Sequence, residues 1–409
     1  MKSPKTNKSE LPNYLSYDRI DSTGETALFY GFNPLKDPHI HSDDSALAKS
    51  ISEGEIVVDH ADHSKGATIR LEEKISLLKI HDCEKLIATP QPVMLYYKRP
   101  FKGDRRKINP KEIHHGLEII GTKKSIAEAI LIKTSMAILA DNGETNLCIE
   151  INSIGDKESL TRFTRELTAY YRRYINELPA ECKQLLKKDV FSLLGCEHEE
   201  CLKLSVDCPK SINFLSEESR KHFKEVLEYI EALDIPYNIN NSLVANRDYC
   251  SETIFEIHGS DPKECPKVIG IRYDTLSKKT GHRKEIPAVG VSIALTKNTK
   301  AHPVIKKTTL EKIQKPEICF MQLGFEAKLK SLEFLEIMRK ARIPVTHSLS
   351  KDKIAGQVGV AEKMNAPIVI IMGKKEAMED SVIVRETATR SQNTVHFSDV
   401  ASYLKKYKI

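Results

Sequence analysis

The chain predicts an α+β fold built as two domains, and three observations carry that reading. From about Ala27 to Lys297, short apolar runs and amphipathic helical stretches mix without regular strand–helix alternation. After Pro316 the two alternate strictly, as in a compact α/β unit. Between them, Thr299 to Lys315 is basic and reads as a linker. A length of 409 residues also favours two or three cores over one. The organisation expected is a tail over 1–26, a core over 27–298 with a helical insertion at about 160–235, a linker over 299–315 and a C-terminal domain over 316–409.

In the core, Leu95–Tyr97, Leu117–Ile120 and Cys148–Ile151 are short apolar segments of strand length, and Ser125–Leu139 reads as a helix. Leu160–Leu178 places Phe163, Leu167, Tyr170, Tyr174 and Ile175 on one helical face. Glu217–Leu233 does the same with Phe223, Val226, Leu227, Ile230 and Leu233. Past the linker come a strand at Ile318–Leu323, a helix at Ala327–Lys340, a short strand at Ile343–Thr346 and a helix at Lys351–Met364. Pro367–Met372 is a continuous apolar run, the pattern of a strand covered on both faces. Strands at Val382–Val384 and Val395–Phe397 and a helix at Val400–Tyr407 complete the order.

Apolar residues at 40% and charged residues at 29% are an ordinary globular balance. No apolar run is long enough to cross a bilayer, and Met1–Pro12 lacks the apolar centre of a secretory signal, so no membrane association is expected. The net charge of +6 is unevenly spread. Lys98–Lys107 holds six Lys/Arg against one Asp, and Lys278–Lys315 ten against two Glu. Such clusters attract polyanions, although each alone is also compatible with a solvated basic face.

Nine scattered cysteines suit a reducing, cytoplasmic setting better than a disulfide framework. Cys196, His198 and Cys201, with Cys208 beyond, are a candidate tetrahedral zinc set, but the second pair lacks the tight spacing of a ribbon or finger. The sequence therefore reads them as buried thiols, and no metal is expected. Neither a Walker-type nor a dinucleotide-binding glycine loop is present.

The most informative stretch is Leu243-Val244-Ala245-Asn246-Arg247-Asp248-Tyr249-Cys250-Ser251-Glu252-Thr253-Ile254-Phe255-Glu256. It resembles the histidine-binding signature of histidyl-tRNA synthetases, L-V-R-G-L-D-Y-Y-T-x-T-x-F-E. Further segments are similar in the same order: Ile151 to Ser159, Cys208-Pro209-Lys210 with Phe214-Leu215, Gly270-Ile271-Arg272-Tyr273-Asp274, and Pro287 to Gly290, which resembles the start of class II motif 3. The C-terminal domain is similar to the family's anticodon-binding domain, including Ile371 to Glu376 and Val382 to Arg385. The resemblance implies a class II synthetase antiparallel sheet flanked by helices, followed by an α/β anticodon-binding domain. It also implies a homodimer formed through motif 1, of which Tyr30-Gly31-Phe32 with Pro38 is a candidate remnant.

For an active member the resemblance implies ATP and Mg²⁺ as cofactors and tRNA as partner. It implies arginines that neutralise the α-phosphate, a task their planar fork suits. These positions fall on Tyr96 in motif 2, Ala245 in the histidine signature and Lys297 at motif 3, with Arg99 a possible substitute. By position, Glu72 and Glu118 match carboxylates that hold the substrate ammonium, and Tyr249 and Tyr273 match pocket tyrosines. Lys74 replaces a threonine, His114 a glutamine and Cys250 a tyrosine. The basic motif 2 loop makes Lys98, Arg99, Lys102, Arg105, Arg106 and Lys107 candidate tRNA contacts, and Lys351, Lys353 and Arg385 are the candidates on the anticodon side. The expectation is a histidyl-tRNA synthetase-like protein that binds tRNA with weak or absent histidine activation. The alternatives are a working histidine–tRNA ligase and a synthetase-like regulatory subunit that binds histidine.

Overall fold

The computed structural model describes residues 14–52, 66–83, 86, 91–104, 110–244, 247–259, 264–296 and 305–407. Arg105, Arg106, Lys107, Ala245 and Lys297, each named as a candidate, lie outside the described residues, as do 1–13 and 299–304.

The core runs in the order α1 (Ser22–Phe29), β1 (Asn33–Pro34), α2 (Ser42–Ser52), α3 (Leu71–Cys83), β2 (Val93–Lys98), β3 (Glu112–Ile120), α4 (Ile126–Asp141), β4 (Cys148–Gly155), α5 (Lys157–Arg173), α6 (Ala180–Lys188), α7 (Glu199–Ser205), α8 (Glu217–Ala232), β5 (Tyr237–Ile239), β6 (Ser251–His258), β7 (Val268–Arg272), α9 (Leu276–Lys279) and β8 (Ala288–Thr296). Then follow α10 (Lys307–Gln314), β9 (Ile318–Gln322), α11 (Phe325–Lys340), β10 (Thr346–His347), α12 (Ile354–Lys363), β11 (Ile368–Met372), α13 (Lys374–Met378), β12 (Ser381–Glu386), β13 (Gln392–His396) and α14 (Phe397–Lys405).

Among the described residues the core sheet has eight strands in the order β1-β2-β3-β8-β7-β6-β4-β5. All pairs are antiparallel except β1 with β2 and β4 with β5. Its two faces are separate apolar clusters. One holds α4, whose residues are apolar nearly all round because it is sandwiched between the sheet and the C-terminal domain. The other holds Ile75, Leu78, Leu95, Tyr97, Cys250, Ile271 and Tyr273 and carries the candidate site. The C-terminal sheet is mixed, in the order β10-β9-β11-β12-β13.

Local chemistry sets several element ends. Asp156 caps α5 by accepting from the Ser159 N–H at 2.8 Å, and Ser216 caps α8 by accepting from the Ser219 N–H at 3.2 Å. Ser216 Oγ also donates to Asp156 at 2.8 Å, so the Ile151–Ser159 motif serves to join the two long helices that flank the insertion. The buried stripe of α5 runs through Phe163, Leu167 and Tyr171, while Tyr170, expected on that face, is half-buried and donates to the Leu204 carbonyl at 2.8 Å.

Three boundaries differ from the sequence expectation. The tail boundary at residue 26 falls inside α1, whose N-cap Asp21 accepts from the Gly24 N–H at 2.9 Å. The linker contains α10, whose apolar Leu310 and Ile313 are only half-buried. The strand expected at Ile343–Thr346 forms at Thr346–His347, because Ile343 and Val345 turn into the core instead. Tyr30 and Phe32 are buried, with Gly31 exposed between them; Tyr30 donates to Glu336 of the C-terminal domain at 2.6 Å and its carbonyl lies 2.9 Å from His347 Nε2.

Candidate active site

The site face is defined by strand register. Leu95 of β2 pairs with Glu118 of β3, which pairs with Gly290 of β8, which pairs with Ile271 of β7. Directly paired residues share a face, and successive residues alternate. Leu95, Tyr97, Gly116, Glu118, Gly290 and Ser292 therefore point one way, and Tyr96, Lys98, His115 and Leu117 the other.

Glu118 is the centre of this face and fully buried. Its carboxylate accepts from Tyr97 Oη at 2.8 Å, from Tyr273 Oη at 2.6 Å and from the Lys74 ammonium. Lys74, from the first turns of α3, is itself 2% exposed and lies 5.3 Å from the centre of the Tyr273 ring. Burial, then the Glu118 charge, pushes both tyrosine hydroxyls well above their ordinary pKa, so they stay protonated and donate. Two glycines allow the close approach. A Cβ on Gly290 would come 1.8 Å from Glu118 Oε2, and one on Gly116 would come 2.1 Å from the Tyr97 ring.

Arg99 follows β2 on the same face. Its Nε donates to Glu73 at 2.7 Å, and Nη2 lies 2.7 Å from the other Glu73 oxygen. Nη1 donates to the Thr68 carbonyl at 3.0 Å and to Ser292 Oγ at 2.6 Å. This bidentate pair neutralises the guanidinium inside the protein. Arg99 was expected as a substitute phosphate cation and as a tRNA contact; with its side chain 1% exposed, it presents no surface for either. His114, directly opposite Arg99 and accepting its backbone N–H at 2.9 Å, has its imidazole pKa lowered by burial and by the Arg99 charge, and sits 3.0 Å from Glu112.

The motif 2 alignment places the missing arginine at Tyr96, but the pleat turns Tyr96 to the opposite face. There its hydroxyl meets His115 Nδ1 at 3.0 Å among the packing of α4. Lys98, also on that face, pairs with Asp21 at 2.6 Å and stays half exposed. Arg247, which stands where the signature has a leucine, pairs with Asp189 at 2.6 Å and lies over the Phe191 ring at 4.1 Å, which ties it to the insertion. Tyr249 and Cys250 are buried in the same cluster as Tyr97 and Tyr273. Glu72 is half-buried in the first turn of α3, beside the fully engaged Glu73.

The structure thus brings Glu118, Tyr273 and Tyr249 together with Lys74 and separates Tyr96 from them. Sequence reasoning missed the Glu73–Arg99 and Lys74–Glu118 pairs. Two adjacent acidic residues followed by a lysine at a helix start was the only available signal, and it could not say which side chain turns inward. These groups do not fit an adenylate α-phosphate: Tyr96 faces away, Arg99 is neutralised by Glu73, and residue 245 is an alanine.

Of the remaining candidates, Lys102 is exposed and 3.3 Å from Asp37. Lys353 and Arg385 are exposed on the C-terminal domain, with Arg385 lining a cleft of about 540 Å³ together with Arg390. Lys351 is half-buried, its carbonyl accepting from Gln357 at 3.1 Å. Cys196, His198 and Cys201 do converge, but with Cys182, not Cys208.

The comparisons with known proteins follow the same outline. Residues 318–407 match the family model described as an anticodon binding domain. Histidine–tRNA ligase of Fervidobacterium nodosum is 27% identical over 396 residues, covering 93% of this chain and 92% of that protein. The Dehalococcoides mccartyi enzyme of the same name is 25% identical and covers 99% of both chains. Histidine–tRNA ligase 1 of Shouchella clausii is 28% identical, covering 84% of this chain and 82% of its own.

Proposed function

We infer that the chain, which belongs to the histidyl-tRNA synthetase family, is a tRNA-binding protein that activates histidine weakly or not at all. The observation that carries this is the Lys74–Glu118 pair. In the resemblance Glu118 holds the substrate ammonium; here an ammonium from the chain's own α3 already holds it. Histidine would have to displace a buried, charge-assisted contact and find room beside Lys74. A neutral threonine, the family residue at this position, would impose neither demand.

The family's arginine positions fall on Tyr96, Ala245 and Lys297, which supports the same reading. One missing electrostatic donor typically costs roughly a hundred- to thousand-fold in turnover. Losses within one cooperating site do not simply add, but the Glu73–Arg99 pair removes the available replacement. In this reading ATP and Mg²⁺ have no productive role, and the anticodon-domain surface with Lys353 and Arg385 and the motif 2 surface with Lys102 provide the RNA contacts.

The test is ATP–pyrophosphate exchange with histidine, run beside a tRNA gel shift. The expected outcome is exchange roughly a thousand-fold or more below a conventional enzyme, with salt-sensitive tRNA binding. Near-normal exchange would reject the proposal in favour of a working ligase.

A further inference from the structure

We propose that the helical insertion binds one structural zinc ion through Cys182, Cys196, His198 and Cys201. The four come from three short pieces of chain: Cys182 from α6, Cys196 and His198 from the turn after a short 3₁₀ segment at Val190–Leu193, and Cys201 from the first turn of α7. Their donor atoms converge. Cys182 Sγ and Cys196 Sγ are 3.5 Å apart, and His198 Nδ1 lies 3.2 Å from Cys196 Sγ and 3.6 Å from Cys182 Sγ. The three sulfurs all lie within 4.8 Å of one another.

Tetrahedral zinc with Zn–S near 2.3 Å and Zn–N near 2.0–2.1 Å requires ligand–ligand edges of about 3.8 Å for S–S and about 3.5 Å for S–N. The Cys182–Cys196, Cys196–His198 and Cys182–His198 separations lie within a few tenths of an ångström of these edges, and Cys201 Sγ is within 4.8 Å of the other two sulfurs. His198 adds a second, independent indication. Its side chain is 47% exposed, yet its Nδ1 turns inward onto two thiols, while Nε2 lies 3.8 Å from Glu181 Oε2. A ligating histidine with its other nitrogen facing a carboxylate is the arrangement that fixes the imidazole tautomer and orientation at metal centres.

Four protein ligands leave no open position, so the ion is structural, not catalytic. Three thiolates and one imidazole select zinc over harder cations. Binding deprotonates the thiols: Zn²⁺ plus three Cys–SH and neutral His198 gives the tetrahedral centre and three released protons. The need is local. The insertion's apolar core is a separate cluster built around Phe163, Leu167, Tyr171 and Phe191, and small cores of this kind gain most from a metal staple. The sequence reading placed Cys208 in this set. In the fold it is buried in the same cluster but outside the group of converging sulfurs, and Cys182, fourteen residues before Cys196, takes the place.

The experiment is metal analysis of the full-length protein purified under reducing conditions, with cobalt replacement as a second readout. The proposal expects about one zinc per chain, and intense visible bands of a tetrahedral cobalt–thiolate centre when Co²⁺ replaces it. Cys182→Ser, Cys196→Ser, Cys201→Ser and His198→Asn should each lose at least most of the metal, whereas Cys208→Ser and Cys319→Ser should keep it. If the single-ligand variants do not fold, wild-type Co²⁺ spectra with the two control variants still decide the matter. Zinc-free protein whose reduced thiols give no cobalt–thiolate bands would overturn the proposal. So would a Cys182–Cys196 disulfide in the freshly purified protein, or metal loss on Cys208→Ser.

Discussion

Lys74 and Glu118 form an ion pair that is almost wholly shielded from water, with side-chain exposures of 2% and 0%. Glu73, the preceding residue, does the same for Arg99 on the adjacent strand. Together the two residues of α3 neutralise a carboxylate and a guanidinium inside the core.

Breaking such a pair leaves a buried charge alone, at a cost of roughly 3–5 kcal/mol. Lys74→Thr and Glu118→Gln are each expected to lower the urea midpoint accordingly, while the combined Lys74→Met/Glu118→Gln protein, which keeps an acceptor for Tyr97 and Tyr273, is expected to recover part of the loss. Lys74→Thr has a second expected property: added histidine raises its melting temperature, because the substrate ammonium takes over the vacated contact. Stabilisation by a ligand at a hundred times its Kd is about 2.7 kcal/mol. The wild-type protein is expected to show no such shift.

Binding of tRNA should weaken linearly in log–log with salt. Lys102→Ala and Lys353→Ala each remove an exposed cation and are expected to reduce the slope by about 1. Arg99→Ala should leave the slope unchanged and instead destabilise the fold, since its guanidinium faces Glu73 and Ser292. Binding isotherms at four salt concentrations check both.

On the opposite face Glu128, fully buried, accepts from Arg272 Nε at 2.7 Å and Nη2 at 2.8 Å, with His222 Nε2 at 2.9 Å. Burial alone would raise its pKa; the Arg272 and His222 charges outweigh it and hold the carboxyl at about 2 against an ordinary 4.5. This contribution to stability is complete above about 4.5 and is lost as pH falls toward about 2. The His222 pKa is raised by Glu128 despite the opposing effect of burial, so its contribution is complete below 6.5 and is lost as pH rises through the folded-state value. Glu128→Gln is expected to cost roughly 3–5 kcal/mol at neutral pH. It should also flatten the acid limb in a stability–pH profile.

The C-terminal domain is clasped to the core through Arg339. Its Nη1 donates to Asp141 at 2.7 Å, and its Nε and Nη2 donate to Glu336 at 2.8 Å. Glu336 also accepts from Tyr30 at 2.6 Å. Calorimetry of Arg339→Ala is expected to split one unfolding transition into two, as the domains lose their polar coupling.

How much of this was legible in the sequence depended on the periodicity concerned. The helix read at Ala327–Lys340 formed within Phe325–Lys340, and the strand read at Pro367–Met372 formed at Ile368–Met372, but only one of its faces is fully buried, since Val369 and Ile371 are half-buried. The insertion's helical character was also legible from its two flanking helices. The site was harder. Glu118, Tyr249 and Tyr273 could be picked by motif, and they do meet on one apolar cluster or its carboxylate. Tyr96 could not be placed, because a gapless motif alignment ignores the pleat, and one residue of register reverses the face. Lys74 read as a simple replacement; its reach from α3 to β3 is a tertiary fact with no linear trace. Cys182 was missed for the same reason, since α6 and the turn after it return the chain to the Cys196 region only when folded.

The central claim, that the amino-acid pocket is closed by the chain's own ammonium, is tested most directly by calorimetric titration of histidine into the wild-type protein. The account predicts no binding heat at millimolar histidine. Saturable one-to-one binding in the micromolar range would contradict it, because Glu118 would then be available to a substrate despite Lys74.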